Sequence, residues 1–496
     1  MIGKMFTQNY SNAKQREMLP TWRKIADCYD GAIAVRGGDR RVDYLPPLES
    51  ERLPTSGLTQ QWKTRYALAC YKNLFKPTID DIVGLMQRNP AIIEFEVADE
   101  SEMTPQEVKD IEIYGNDYND GLVGIKRRLN LAQALFGRAG LLLEIETEST
   151  LPGQGGIKPR FVIKEYDAES ILDGEVYTPI SGEKARLKWV LLDESTSVFN
   201  SVEKKWEPLA RYRILGVTNN AYYSCIIEGD DQACMQQWKE FDFDNPPPQS
   251  VYPVFRGATL PVVPFTVCNA DRLGINQWQN PPFYDITESV LQRYQLSSIY
   301  HLGAYRHCSP TLVLNNAKPR GGKITLGGAL EVESAGMHES SVQLLETTGN
   351  GLSELRAAMI EEESILKHVS LRDLLDGAGA NSSGDAIELR TESGTAAIAK
   401  IDQAGALAIE EQLIFAAVWA GASWDEAGER ITYKADTSYI GVKNNLTEVS
   451  QFLVANSTLG MLSKQNQYAI IEQAIPNTVS SWEDNEMQKI NEGVEL

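Results

Sequence analysis

The sequence predicts an α+β fold, on three observations. Apolar residues recur at helical spacing in three long segments of the C-terminal half. A short β-prone insert lies between the first two of them. Upstream, the stretch from about 141 to 268 reads as strands separated by turn signals.

The elements follow in order. Residues 1–40 are polar, with a helix expected over about 14–29. Pro20 should break it, because proline removes a backbone donor and clashes with the preceding turn. Arg40-Arg41-Val42-Asp43-Tyr44-Leu45-Pro46-Pro47-Leu48 reads as a loop. The stripe Tyr66, Ala67, Cys70, Leu74, Ile82 and Met86 predicts a helix over about 64–89, kinked near Lys76 by Pro77. Asn89-Pro90 ends it, and Ile92-Ile93-Glu94-Phe95-Glu96-Val97 predicts a short strand. A helix over about 118–138 leads through Gly140 into a buried strand, Leu141-Leu142-Leu143-Glu144-Ile145. Strands are expected over 160–166, 188–192, 210–215 and 222–227, the last two as a hairpin around Asn219-Asn220. Leu260-Pro261-Val262-Val263-Pro264-Phe265-Thr266-Val267 is a strand whose prolines assign it to a sheet edge.

After Pro281-Pro282 the pattern changes. Ile286, Val290, Leu291, Tyr294, Ile299 and Tyr305 predict a helix to about 307. Ser309-Pro310 stops it, since the residue before proline is pushed out of the α region. Thr311-Leu312-Val313-Leu314, the turn signal Pro319-Arg320-Gly321-Gly322 and Ile324-Thr325-Leu326-Gly327-Gly328 predict a small β insert. A second helix is expected over about 352–369. Asp376-Gly377-Ala378-Gly379-Ala380-Asn381-Ser382-Ser383-Gly384 reads as a flexible loop, and a third helix runs over about 385–420. Ser382, with Asp385 three residues on, is an N-capping pattern for that helix. Its Ala397, Ile401, Ala404, Leu407, Ile414 and Val418 form a narrow face suited to close packing. The plain alternative is an ordinary buried helix after an ordinary loop. A strand at 430–433 and helices over about 446–457 and 464–474 precede an acidic tail.

Hydrophobic content of 42% is enough for sizeable cores, and no run of 18 apolar residues exists to span a membrane. The N-terminus lacks the apolar stretch of a signal peptide. Six cysteines without a CxxC pair predict reduced thiols and synthesis in a cytoplasm. Acidic residues outnumber basic ones 68 to 47, a net charge of −21, which argues against a conventional DNA-binding domain. The four histidines, His301, His307, His338 and His368, make no metal motif. Gly153-Gln154-Gly155-Gly156 precedes a strand rather than a helix and is no phosphate loop. GxSxG is absent. Asp80-Asp81, Asp230-Asp231 and Glu361-Glu362-Glu363 read as solvated surface, because neighbours on a helix do not face one site. No catalytic residue, metal or cofactor is expected.

The order of these pieces resembles the portal proteins of tailed bacteriophages. Tyr44-Leu45-Pro46-Pro47-Leu48 matches an N-terminal loop of that family, and 73–90 its first long helix. Tyr166-Asp167-Ala168-Glu169-Ser170-Ile171 resembles its wing strand and turn. Leu260-Pro261 with Pro264-Phe265 resembles the strand before the stem. Pro281-Pro282, Asp285, Tyr294 and Ser309-Pro310-Thr311-Leu312-Val313 form the nearest match. Leu345-Glu346, Gly349, Gly351 and Glu363 also fit, as does Gly460-Met461-Leu462-Ser463 ahead of Asp484 and Glu486. The resemblance covers about 40–490. The C-terminal region is short, so no long internal barrel is expected.

The resemblance implies a ring of about twelve subunits at one capsid vertex, within the virion and assembled in the host cytoplasm. Residues 1–283 would form the mixed α/β wing that meets the major capsid protein. Residues 284–308 and 350–370 would be the stem helices, and 309–349 a small β clip. Residues 371–384 would be the channel loop, 385–421 the long wing helix and 422–496 an α-helical crown. The clip would dock the large terminase subunit first and a head–tail adaptor later, with Lys318, Arg320 and Lys323 at its tip. A scaffolding protein would assist assembly. Gly377, Gly379, Asn381, Ser382, Ser383 and Gly384 would border passing double-stranded DNA, with Lys367 and Arg372 as weak basic contacts. Twelve chains at −21 sum to about −252, and acidic walls would let DNA slide without sequence preference. The motor would belong to the terminase, as this chain has no ATP-binding loop. Two rival readings remain at this point: another head or head–tail structural protein, and a carboxylate-and-metal enzyme.

Overall fold

The computed structural model describes residues 9–52, 57–95, 106–116, 120–147, 159–178, 185–200, 203–307, 311–319, 332–334, 341–345, 350–369 and 384–436. The chain divides into two compact units, 1–382 with 393–437, and 383–392 with 438–496. Of the second unit only 384–392 are described, all of them helical. The helices expected over 446–457 and 464–474 therefore lie outside the described residues. The fold is α+β, with antiparallel sheets among helices.

The N-terminal helix Ala13–Asp30 runs unbroken through Pro20, against expectation. Burial of Trp22, Ile25 and Cys28 along one face holds the segment helical despite the missing donor. Asn12 caps its start, accepting from the Lys14 N–H at 3.0 Å. The single helix expected over 64–89 is two, Gln60–Leu68 and Phe75–Met86. Pro77 is the third residue of the second, in a first turn whose N–H groups need no intrahelical partner. The break therefore falls at 69–74, before the proline. The loop expected over 40–48 contains a short helix, Arg41–Tyr44.

One sheet has three strands in the order Pro159–Asp167, Ala139–Thr147, Phe265–Cys268. The last is an edge strand, as its prolines require, but begins only after Pro264. A larger sheet centres on Lys205–Thr218, which pairs with Arg186–Asp193, Thr196–Asn200 and Ala221–Gly229. Ile171–Tyr177 pairs with Arg186–Asp193. Asn219 (φ 48°) and Asn220 (φ 61°) make the turn into Ala221–Gly229, with the two left-handed residues that suit a strand-matched twist. Helix Asp231–Lys239 follows, capped by Asp230, which accepts from the Ala233 N–H at 2.8 Å. Asp230 is exposed, in keeping with the surface reading, and also serves as the cap. Distant segments also pair: Ile92–Phe95 lies antiparallel to Ile431–Lys434.

The main core forms where helix Gly121–Phe136 and the helix Gly384–Trp419 meet the three-stranded sheet. Leu122, Ile125, Leu129, Leu141, Leu143, Phe161, Phe265, Ile409, Leu413 and Trp419 belong to it. The long helix does not present the narrow stripe expected of it. Ala397 and Leu407 are exposed, whereas Ile398, Asp402, Ala406, Ala408, Gln412, Ala416 and Ala417 are buried. From 398 onward it is buried on several faces. Asp402 forms an ion pair with Lys126 at 2.8 Å and accepts from Asn130 Nδ2 at 2.7 Å. A Cβ at Gly405 would lie 2.3 Å from Asn130 Oδ1, so the helix approaches its neighbour as closely as glycine permits. Replacing Lys126 by Met should cost about 3–5 kcal/mol in urea denaturation, since it strips a buried carboxylate of its counter-charge. Lys126→Met with Asp402→Leu should recover most of that. A single-variant loss below about 1 kcal/mol would mean that water reaches the pair.

Candidate functional site

The outgoing helix Tyr284–His307 buries Ile286, Val290, Leu291, Tyr294, Ser297, Ser298 and Leu302. Ile299 and Tyr305, expected on the same stripe, are 40% and 56% exposed. The buried face turns polar midway, and those polar groups attach the helix to the N-terminal segments. Ser298 Oγ accepts from Arg65 Nη1 at 3.0 Å. Ser297 Oγ accepts from the Cys70 N–H at 3.2 Å. Gln295 Nε2 donates to the Tyr44 carbonyl at 3.1 Å, and Tyr71 packs edge-on against Tyr294.

The return helix Asn350–Val369 runs antiparallel beside it. Arg293 meets Glu363 at 2.6 Å, and at the other end Gly303 packs against Leu352. A Cβ on Gly303 would come within 2.9 Å of Leu352 Cδ2, so the two helices are close at this end. Lys72 also reaches Glu363, at 3.3 Å. Glu363 is thus half-buried and shared by three segments, not solvated surface as its acidic run suggests. Burial works to raise its carboxyl, and the Arg293 and Lys72 charges outweigh that, holding it below the usual carboxylate range.

Between the two helices lie two antiparallel ladders. Thr311–Asn315 pairs with Ser341–Leu345, and Ala317–Pro319 with Val332–Ser334. Asn316, in left-handed conformation (φ 50°), joins the first strands of the two. Lys318 is exposed and belongs to a strand, opposite Glu333, and Pro319 is the last described residue of that strand, so the turn expected over 319–322 falls outside the described residues beyond it. A proline at the end of a two-stranded ladder is compatible with pairing, because it sits at an edge. Arg320, Lys323 and Ile324-Thr325-Leu326-Gly327-Gly328 lie outside the described residues.

The expected channel-loop residues are reached only at their end. Gly377, Gly379, Asn381, Ser382, Ser383 and Arg372 lie outside the described residues. Gly384 is the first residue of the helix Gly384–Trp419, not part of the loop. Glycine is tolerated there because a first turn makes few intrahelical bonds. Lys367 is on the return helix, with its side chain outside the described residues.

Two buried thiols are held in their neutral form. Burial pushes the Cys28 thiol up to about 12 and Cys234 to about 11, far from thiolate formation at neutral pH. Among the described residues, no three His, Cys, Asp or Glu side chains group to hold a metal ion. His301 is half-buried beside Tyr300. A cavity of about 820 Å³ lies against the long helix, lined by Phe265, Ile275, Leu407, Phe415 and Trp424, with Arg186 stacked on Trp424. Its Glu411 already accepts from Thr266 Oγ1 at 2.9 Å. Sequence reasoning missed this cavity and the Glu363 junction, since neither has a local motif.

The Glu363 junction should titrate. A carboxyl depressed in the folded chain adds stability above its unfolded value of about 4.3, and that stability is lost as pH falls through the folded value. The protection of amides 350–369, with the pH dependence of intrinsic exchange divided out, should therefore fall as pH drops below about 4.3 through the folded value. Glu363→Gln should show low protection both above and below that range. Equal acid sensitivity in the parent and in Glu363→Gln would show that other carboxylates control the pairing.

Protein-family models and curated proteins alike give no match to this chain.

Proposed function

We propose that this chain is the subunit of a bacteriophage portal, a ring of about twelve copies forming the DNA channel at one capsid vertex. One observation carries the reading. Two antiparallel helices, Tyr284–His307 and Asn350–Val369, leave the helical and sheet core, carry small β ladders between them, and lead into the helix Gly384–Trp419. A helical excursion ending in paired strands suits a stem that lines a channel and a clip that meets partners. In this reading 1–283 is the wing, 309–349 the clip for terminase and adaptor, 371–384 the channel-facing segment and 422–496 the crown. The chain conducts DNA and does no chemistry on it. The net charge of −21 supports passage over retention, since phosphate contacts add salt-dependent affinity.

Negative-stain microscopy with native mass measurement tests the assembly. The expected result is a hollow ring near roughly 660 kDa, twelve times 55.1 kDa. A compact dimer or tetramer without a central hole would overturn it. Deleting 376–383 should leave ring formation intact and reduce DNA packaging or retention. Loss of the ring in that deletion would remove those residues from the channel and assign them to assembly.

A further inference from the structure

The three-stranded sheet ends at Phe265–Cys268, beside the cavity of about 820 Å³. Successive strand residues point to opposite faces. All four residues of this strand nevertheless line the cavity, so it meets the strand along its edge. The Leu143 N–H donates to the Pro264 carbonyl at 3.0 Å, which sets the alternation of the ladder. Thr266 and Cys268 therefore bond to Ala139–Thr147, and Phe265 and Val267 turn their N–H and C=O groups to the cavity side. Those groups have no partner among the described residues. Ile275, Ile414, Phe415 and Trp424 stand beside them. Unpaired strand groups next to an apolar wall are a seat for an added strand.

The same chain carries a strand pair that lacks cover. Lys205–Thr218 meets Ala221–Gly229 only from Ala210 onward, so 205–209 pair with Thr196–Asn200 alone. The far edge of Thr196–Asn200 has no strand beside it among the described residues. This tip leaves Val198 and Phe199 about half exposed and Trp206 69% exposed, with the two rings 5.5 Å apart. A lone two-stranded ribbon is marginal in water, and an open apolar edge invites pairing. The tip cannot fill the cavity of its own chain. Phe199 lies opposite Trp206 and Trp189 opposite Gly216, ten residues along the central strand. That is about 33 Å, and the cavity wall at Arg186 and Leu187 lies beyond Trp189. Lys204 at the tip and Asp425 on the cavity wall have no ion pair among the described residues, which leaves opposite charges for a contact between copies.

We propose that the 196–209 hairpin of one copy seats in this cavity of a second copy. Thr196–Asn200 adds to the free edge of Phe265–Cys268, five residues against four, and Phe199 and Trp206 cover the apolar wall. The two surfaces differ, so the contact is heterologous and repeats head to tail. This deepens the portal reading and rests on it for closure of the repeat into a ring.

Cross-linking of the full chain tests the contact. Cys70, which is exposed, and Cys308 are first replaced by Ser. Phe199→Cys and Gly428→Cys are then placed in separate chains. Both positions are exposed, Gly428 lines the cavity, and a Cβ there meets nothing within 4 Å. Mixed and treated with a short bismaleimide, the two chains should give a dimer near roughly 110 kDa, twice 55.1 kDa, that neither gives alone. Trp206→Ser should raise the concentration at which copies associate by at least about tenfold, with the melting temperature unchanged. No mixed dimer, or unchanged association in Trp206→Ser, would overturn the proposal. A ring formed without the cross-link would overturn it and leave the portal reading standing. Cross-linked copies without a ring would support the contact and count against the portal reading instead.

Discussion

The Arg65 guanidinium is the constraint on which the outgoing helix depends. Its Nε donates to both Glu51 oxygens, at 2.9 and 3.2 Å. Its Nη2 donates to Glu51 Oε2 and to the Pro46 carbonyl, both at 2.7 Å, and its Nη1 to Ser298. Four stretches of chain meet at one planar fork that exposes 3% of its side chain. Burial works to raise the Glu51 carboxyl, and Arg65 with the Leu48 N–H outweighs it, so the acid stays ionised. Such a pair adds little stability over a well-packed apolar substitute. What it provides is register: a guanidinium fork satisfied by fixed partners allows one rotation and one height for Ser298, hence for the helix bearing it.

From that root the hold on the hairpin weakens along its length. Ser297 and Tyr294 are packed against Cys70 and Tyr71, and Arg293 against Glu363. Beyond Ser298 burial fades, with Leu302 the last buried apolar side chain and Tyr305 exposed. At 1.5 Å per residue, the stretch from Ser298 to His307 reaches about 13 Å past the clasp. The β ladders are thus carried by a support fixed at one end. That suits a docking tip under the portal reading, where partners must reach the strands while the core stays undisturbed.

Local chemistry made much of this legible. Asn219-Asn220 dictated a turn, Ser309-Pro310 closed the outgoing helix, and the alternation of helical and β-prone runs gave the α+β class. Pro20 and Pro77 misled because proline's cost depends on its position and on the apolar face burying the segment. Arg65, Glu51, Lys126, Asp402 and Glu363 were unreadable for a different reason. Charged residues are mostly exposed, and only the fold reveals which are buried in pairs. The exposed Ile299 and Tyr305 show the converse limit: periodicity finds an apolar face but not where its cover ends.

The long helix has a consequence for how this sequence can drift. From Ile398 to Trp419 it is lined by Ala404, Gly405, Ala406, Ala408, Ala416 and Ala417, all enclosed. Added volume at such positions forces side chains off their rotamers, and removed volume has little left to give. Tolerated changes there are confined to the smallest side chains, while solvent-facing positions such as Gln403 and Leu407 are free to vary. Distant kin of this chain would accordingly be recognised by a rhythm of side-chain size along that helix, long after residue identity elsewhere had faded.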